Sequence, residues 1–223
     1  MENLPGYIAL TFIATTLLTL ILLYKATHYS KPIIIITLTW LILQAVISLT
    51  GFYTVTNVLP PRFGLLLIPP VVFIVVSFFT IKGKAAIEGF DVKQLTLLHL
   101  VRIPIEIGLY WLFLHKTVPQ LMTFEGRNFD IICGLTAPVI YYFGYIKNSL
   151  NKAVLIGWNI ACLLLLANIV VLAVLSAPFP FQKFAFDQPN LAILYFPFIW
   201  LPGFIVPAVL FAHLVSLRRL IIH

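Results

Sequence analysis

Seven apolar runs of about 18 to 24 residues each leave this chain little choice but to fold as a bundle of membrane helices. They lie at roughly 6–24, 32–51, 64–81, 93–115, 129–146, 153–175 and 191–215. A helix of that length matches a hydrocarbon core of about 30 Å and satisfies its own backbone polar groups where no water can. The 223 residues are 61% hydrophobic and 9% charged, whereas soluble domains carry roughly 25% charged residues. The sequence therefore predicts one all-α integral membrane domain over residues 1–223, with seven transmembrane helices and loops too short for a soluble domain.

The first run reads as a retained helix rather than a cleaved leader. Glu2 precedes it, no basic stretch does, and Lys25 follows without a small-residue cleavage site. With the N-terminus outside, the inner loops and tail hold nine basic residues: Lys25, Lys31, Lys82, Lys84, Lys93, Lys147, Lys152, Arg218 and Arg219. Only Arg62, Lys116, Arg127 and Lys183 fall outside. That asymmetry predicts an N-out, C-in topology, as in a prokaryotic cytoplasmic (inner) membrane. The net charge of +7 is spread over loops without interleaved aromatics, which argues for anionic lipid headgroups as partners and against nucleic acid.

Helix starts are marked by Pro32 after Ser30-Lys31, by Asp91 with Gln94 three residues on, and by Asp187-Gln188-Pro189. Prolines inside the runs (Pro69, Pro70, Pro104, Pro138, Pro197, Pro202 and Pro207) predict kinked or interrupted helices. PPRFGLLLIP at 60–69 and QPNLAILYFP at 188–197 align at Pro61/Pro189, Leu66/Leu194 and Pro69/Pro197, and Trp40 and Trp158 sit early in the preceding runs. The expectation from this is two three-helix repeats joined by the fourth helix. SWEET and PQ-loop transporters have a similar layout, but the single Pro-Gln pair, Pro119-Gln120, lies in a loop, so the likeness stops at architecture. Retinal chemistry is disfavoured because 191–215 holds no lysine for a Schiff base.

The fourth run, LTLLHLVRIPIEIGLYWLFL, carries His99, Arg102, Glu106 and Tyr110. At ~100° per residue these share an arc of about 80°, so one face of an otherwise apolar helix is polar. A charge at a helix centre costs about 2.5–3.5 kcal/mol on translocon scales, which makes such residues functional candidates. Arg102 and Glu106 are i,i+4 neighbours and can pair, but the Arg-first order is the weaker one and further partners are needed. Pro104 between them frees the Leu100 carbonyl. His99 can change protonation near neutral pH and Tyr110 can donate a hydrogen bond, so the stripe reads as a ligand-binding or proton-exchange path. A structural ion pair with satisfied core residues around it is the plainer alternative.

A second cluster, Glu125, Arg127, Asn128 and Asp130, stands before the fifth run. A capped helix start and an interfacial charge pair account for it simply; the functional alternative has Gly126 fold this loop back so that Arg127 or Asp130 reaches the stripe. His115 lies about 160° around the helix from His99, and no HExxH-like spacing occurs, so neither a metal nor another cofactor is expected. Cys133 and Cys162 read as small packing residues, the aromatics of the last run as packing or pocket walls, and Gln44, Asn159 and Asn168 as glue between helices. The function these features favour is binding or transport of a small anionic or amphipathic ligand. The rivals are an intramembrane enzyme with Glu106 or His99 as base, which lacks an evident nucleophile, and a structural or signalling subunit.

Overall fold

A computed structural model describes residues 4–222, which fold as a helical bundle with no strand among them. We number the helices α1 (Gly6–Ala26), α2 (Lys31–Leu49), α3 (Gly64–Phe79), α4 (Ile81–Glu88), α5 (Val92–Leu114), α6 (Ile131–Ile146), α7 (Lys152–Leu175) and α8 (Leu201–Ile222). Five of them, α1, α2, α5, α7 and α8, are long and apolar enough to cross a membrane; α3 with α4 makes a sixth if that pair, bent by 90°, is one broken span. Asp91 accepts from the Lys93 amide at 2.8 Å to start α5, and Asn151 accepts from Val154 at 2.9 Å to start α7, so both helices begin where the capping residues lie.

Three of the apolar runs depart from single straight helices. The third turns sharply at Thr80, whose hydroxyl accepts from the Gly83 amide at 3.1 Å and caps α4. The fifth yields only 16 apolar helical residues, Ile131–Ile146, the last six of them wound as a π-helix after Pro138. The seventh begins at Leu201 rather than 191, because 191–200 forms a short 3-10 turn at Ala192–Leu194 and then irregular chain. Hydropathy alone does not separate that buried irregular segment from a helix. The two aligned proline segments also differ locally: Pro69 lies inside α3, whereas Pro197 lies in the irregular stretch before α8.

The prolines open the helix ladders at defined points. Pro207 cannot donate to the Gly203 carbonyl, and the Trp40 indole does so instead at 2.9 Å. In α5, a 3-10 segment over His99–Val101 precedes Pro104, so the helix tightens next to its charged residues.

Most consequential is the connection between α5 and α6. After Leu114 the chain turns back along α5 and brings Asn128 and Asp130 beside Glu106 and Arg102, which lie roughly 12 and 18 Å below the end of α5 at 1.5 Å per residue. Irregular backbone inside a bundle needs partners for every polar group. Here they come from the loop itself (Thr123 amide to the Gln120 carbonyl, 2.8 Å; Gly126 amide to Thr123, 2.9 Å) and from elsewhere in the chain. Gln188 donates to the Phe113 and Val118 carbonyls at 3.0 and 2.6 Å, Asn168 donates to Arg127 at 2.8 Å, and the Leu191 amide donates to Thr117 at 3.0 Å.

Gly126 is required for this path, because a Cβ there would sit 2.2 Å from the Gln120 carbonyl oxygen and 2.6 Å from the Leu121 Cα. Gly126→Ala should therefore destabilise the protein by about 1–3 kcal/mol, the usual range for overpacking. The measurement is a thermal melt in detergent, with Gly157→Ala, where a Cβ meets nothing within 4 Å, leaving the midpoint unchanged.

Candidate functional site

The polar face of α5 is buried in the bundle. His99, Arg102 and Glu106 are 0%, 3% and 2% exposed, and what surrounds them decides what they can do. Arg102 does not pair with Glu106. Its Nη1 donates to Asp130 Oδ1 in a buried ion pair, and its Nη2 lies 2.8 Å from His213 Nε2 on α8. Side chains on a helix lean toward its N-terminus, which carries the Arg102 head away from a partner four residues further on.

An arginine only donates, so His213 Nε2 is the acceptor and the ring is neutral with its proton on Nδ1. That proton is donated to Asn159 Oδ1 on α7 at 2.8 Å, while the Asn159 amide nitrogen donates to the Leu155 carbonyl at 2.9 Å. The order Asp130, Arg102, His213, Asn159 is thus a single donor–acceptor chain linking α5, α6, α7 and α8. Each polarity in it follows from the one before.

Glu106 belongs to a second branch. Asn128 Nδ2 donates to Glu106 Oε1 at 2.5 Å and to the Met122 carbonyl at 3.0 Å, and Asn128 Oδ1 accepts from the Asp130 amide at 3.1 Å. Asn128 is fully buried, so the loop residue that ties Glu106 also positions Asp130. Asp130 reaches the α5 stripe, as the alternative of a fold-back at Gly126 expects; its side chain makes no cap bond because Arg102 takes it. Close approach of α6 to α5 depends on Gly134, where a Cβ would meet Ile103 Cγ1 at 2.8 Å and Arg102 Cβ at 3.3 Å.

Among the described residues, Glu106 Oε2, Arg102 Nε and both His99 ring nitrogens have no hydrogen-bond partner. Arg102, Glu106 and Asp130 are the charged residues lining a cavity of about 100 Å³ whose other walls are apolar, Leu109, Met122, Leu166, Ile205 and Val209 among them. Such a space holds several waters or a short aliphatic segment beside a free carboxylate oxygen. The His99 ring stacks on His213, 3.9 Å between centroids and 18° between planes, with the Trp158 ring centroid 5.4 Å away at 74°.

The remaining predicted residues divide. Tyr110 is half-buried one turn outward, its ring 4.9 Å from that of Phe124. Glu125 and Arg127 are exposed and form no ion pair among the described residues, so the charge pair expected there is not made; Asn128 and Asp130 carry the loop's contribution. Cys133 and Cys162 are buried free thiols. Sequence reading missed His213, although it is the single ionisable side chain between 206 and 217, and a lone ionisable group in an apolar run is the signal that marks it.

No family model, curated protein or solved structure matches this chain, so the reading below rests on the chain's own chemistry.

Removing either member of the buried Arg102–Asp130 pair leaves the other uncompensated. Arg102→Met and Asp130→Leu should each destabilise the bundle by about 3–5 kcal/mol, and the double variant should recover much of the loss. A double-mutant cycle of thermal or denaturant midpoints in detergent measures the coupling. Additive losses would mean that the two side chains are not partners.

Proposed function

We propose that this chain is a small membrane transporter that binds an amphipathic solute beside Glu106 and exchanges protons there. It crosses the membrane seven times with its N-terminus outside. In this reading α3 bends along the inner surface as α4, and the fifth crossing is half helix and half loop: residues 115–130 enter from outside and α6 completes the passage. The nine-to-four distribution of basic residues supports the orientation. A polar site near the middle of the membrane, built where a helix gives way to irregular chain, is an arrangement transporters use to hold solutes and coupling ions.

The observation that carries the proposal is the free Glu106 Oε2 at the wall of an otherwise apolar cavity, next to a guanidinium already neutralised by Asp130. A bare anion arriving there meets two carboxylates and one engaged arginine, which disfavours an anionic solute. A solute with a short apolar body and a hydrogen-bond-donating or cationic head matches both the walls and the free oxygen. A carboxyl group held through one oxygen with the other free is also well suited to take and release a proton.

The test uses proteoliposomes with a trapped pH-sensitive dye, challenged with a panel of short alkylammonium amphiphiles and compared with protein-free vesicles. Wild-type protein should add solute-driven proton movement for at least one member, and Glu106→Gln should abolish it while retaining its melting midpoint. Proton movement unchanged in Glu106→Gln would overturn the assignment. Chemical conversion of a lipid in detergent, with no sealed compartment, would point to an enzyme instead.

A further inference from the structure

Below the His99–His213 pair, four helices converge on a second and larger opening. An open vestibule of about 930 Å³ at the other end of the bundle is lined by Asp91 and Val92 of the α5 start, Tyr145 of α6, Leu155 of α7 and Leu220 of α8. These are not arbitrary positions. On α8 the face that carries His213 continues through Ser216 to Leu220, on α5 the face of His99 continues through Thr96 to Val92, and on α7 that of Asn159 continues to Leu155. Seven residues of helix separate each histidine from the vestibule wall, a distance of about 10 Å, or a few water diameters.

Buried polar atoms without protein partners fall along that interval. His99 offers both ring nitrogens and is fully buried, Ser216 Oγ is unpartnered on a residue 1% exposed, and the buried Tyr145 hydroxyl is unpartnered at the vestibule wall. Buried polar groups in folded proteins are almost always satisfied, by protein or by ordered water. Such groups placed between a polar site and an open mouth are what a water file requires. On the opposite side the fold-back loop places buried Met122 and Thr123 over the site, and the unpartnered Ser176 Oγ and Asn190 Oδ1 there belong to residues that line neither the cavity nor the vestibule.

We propose that water reaches the site from this vestibule, on the cytoplasmic side in the topology above, along a track past Tyr145 and Ser216 that ends at His99. The charged and titratable groups facing His99 are His213 from α8 and Arg102 from its own helix. The water track does not depend on the transport reading.

Solid-state NMR of the full chain in lipid bilayers, with ¹⁵N-labelled histidine and magnetisation transferred from water, tests the track without any need for a solute. The His99 signal, assigned by its loss in His99→Phe, should receive magnetisation from water as readily as exposed His28. Ser216→Leu, which fills the track, should cut the transfer to His99 several-fold and leave that to His28 unchanged. Tyr145→Phe, which removes only a hydroxyl, should reduce the transfer to His99 and serves if the bulkier variant fails to fold. A dry His99 in the wild type, or transfer indifferent to both substitutions, would overturn the track. A wet His99 in a protein that moves no protons with any amphiphile would instead sink the transport reading and leave the track standing.

Discussion

A guanidinium cannot shed its proton inside a protein, so Arg102 in the centre of the bundle must be met by a fixed negative charge or be left at a cost of several kcal/mol. Asp130 meets it, and the path of the chain between the two follows from that need. Asp130 lies 28 residues further along, beyond the end of α5, and reaches Arg102 only because residues 115–130 double back along the helix they have just left. The pair therefore determines where α6 begins, why it is short, and why Asn128 comes to lie against Glu106.

Placing irregular chain inside a helical bundle creates a second demand, since each turn of the fold-back exposes amides and carbonyls that no ladder satisfies. The stretch after α7 answers it. Gln188 and the Leu191 and Ala192 amides all bond to the start of the fold-back, at Phe113, Val118 and Thr117. That places 188–192 against the end of α5 and delays the start of α8 to Leu201. The two irregular segments support each other, and neither finds an equivalent set of partners alone.

The polar face on α5 was legible because a 3.6-residue period gathers His99, Arg102 and Glu106 whatever the rest of the chain does. The demand for outside partners was legible too, from the energetic cost of burying charge. Which residues meet that demand was legible only in part: a fold at Gly126 offers Asp130 as one alternative, whereas His213, pairing across 111 residues, leaves no periodic trace in the sequence. The same limit explains the misplaced start of the last helix. Residues 191–200 are as apolar as a span, and most of them are buried, but Pro197 and the hydrogen bonds to Thr117 hold them out of the helix. Apolar runs report burial; whether the buried chain is helical is decided by partners that lie elsewhere.

The two ends of the site are closed by different means, and this bears on how it could work. On one side stands a folded segment anchored to Glu106 and Arg102 through Asn128 and Asp130. On the other stand side chains with unsatisfied polar atoms and about two helical turns of separation from an open vestibule. Opening the first side requires Asn128 to leave Glu106, and because Asn128 also receives the Asp130 amide, the change at Glu106 is felt at the ion pair. Protonating Glu106 removes the charge that favours its bond to Asn128, so occupancy of one carboxylate weakens the contact that holds the fold-back in place. Under the proposed transport reading, a site built this way couples the state of a single proton to the closure of one entrance, while the proposed water track serves the other.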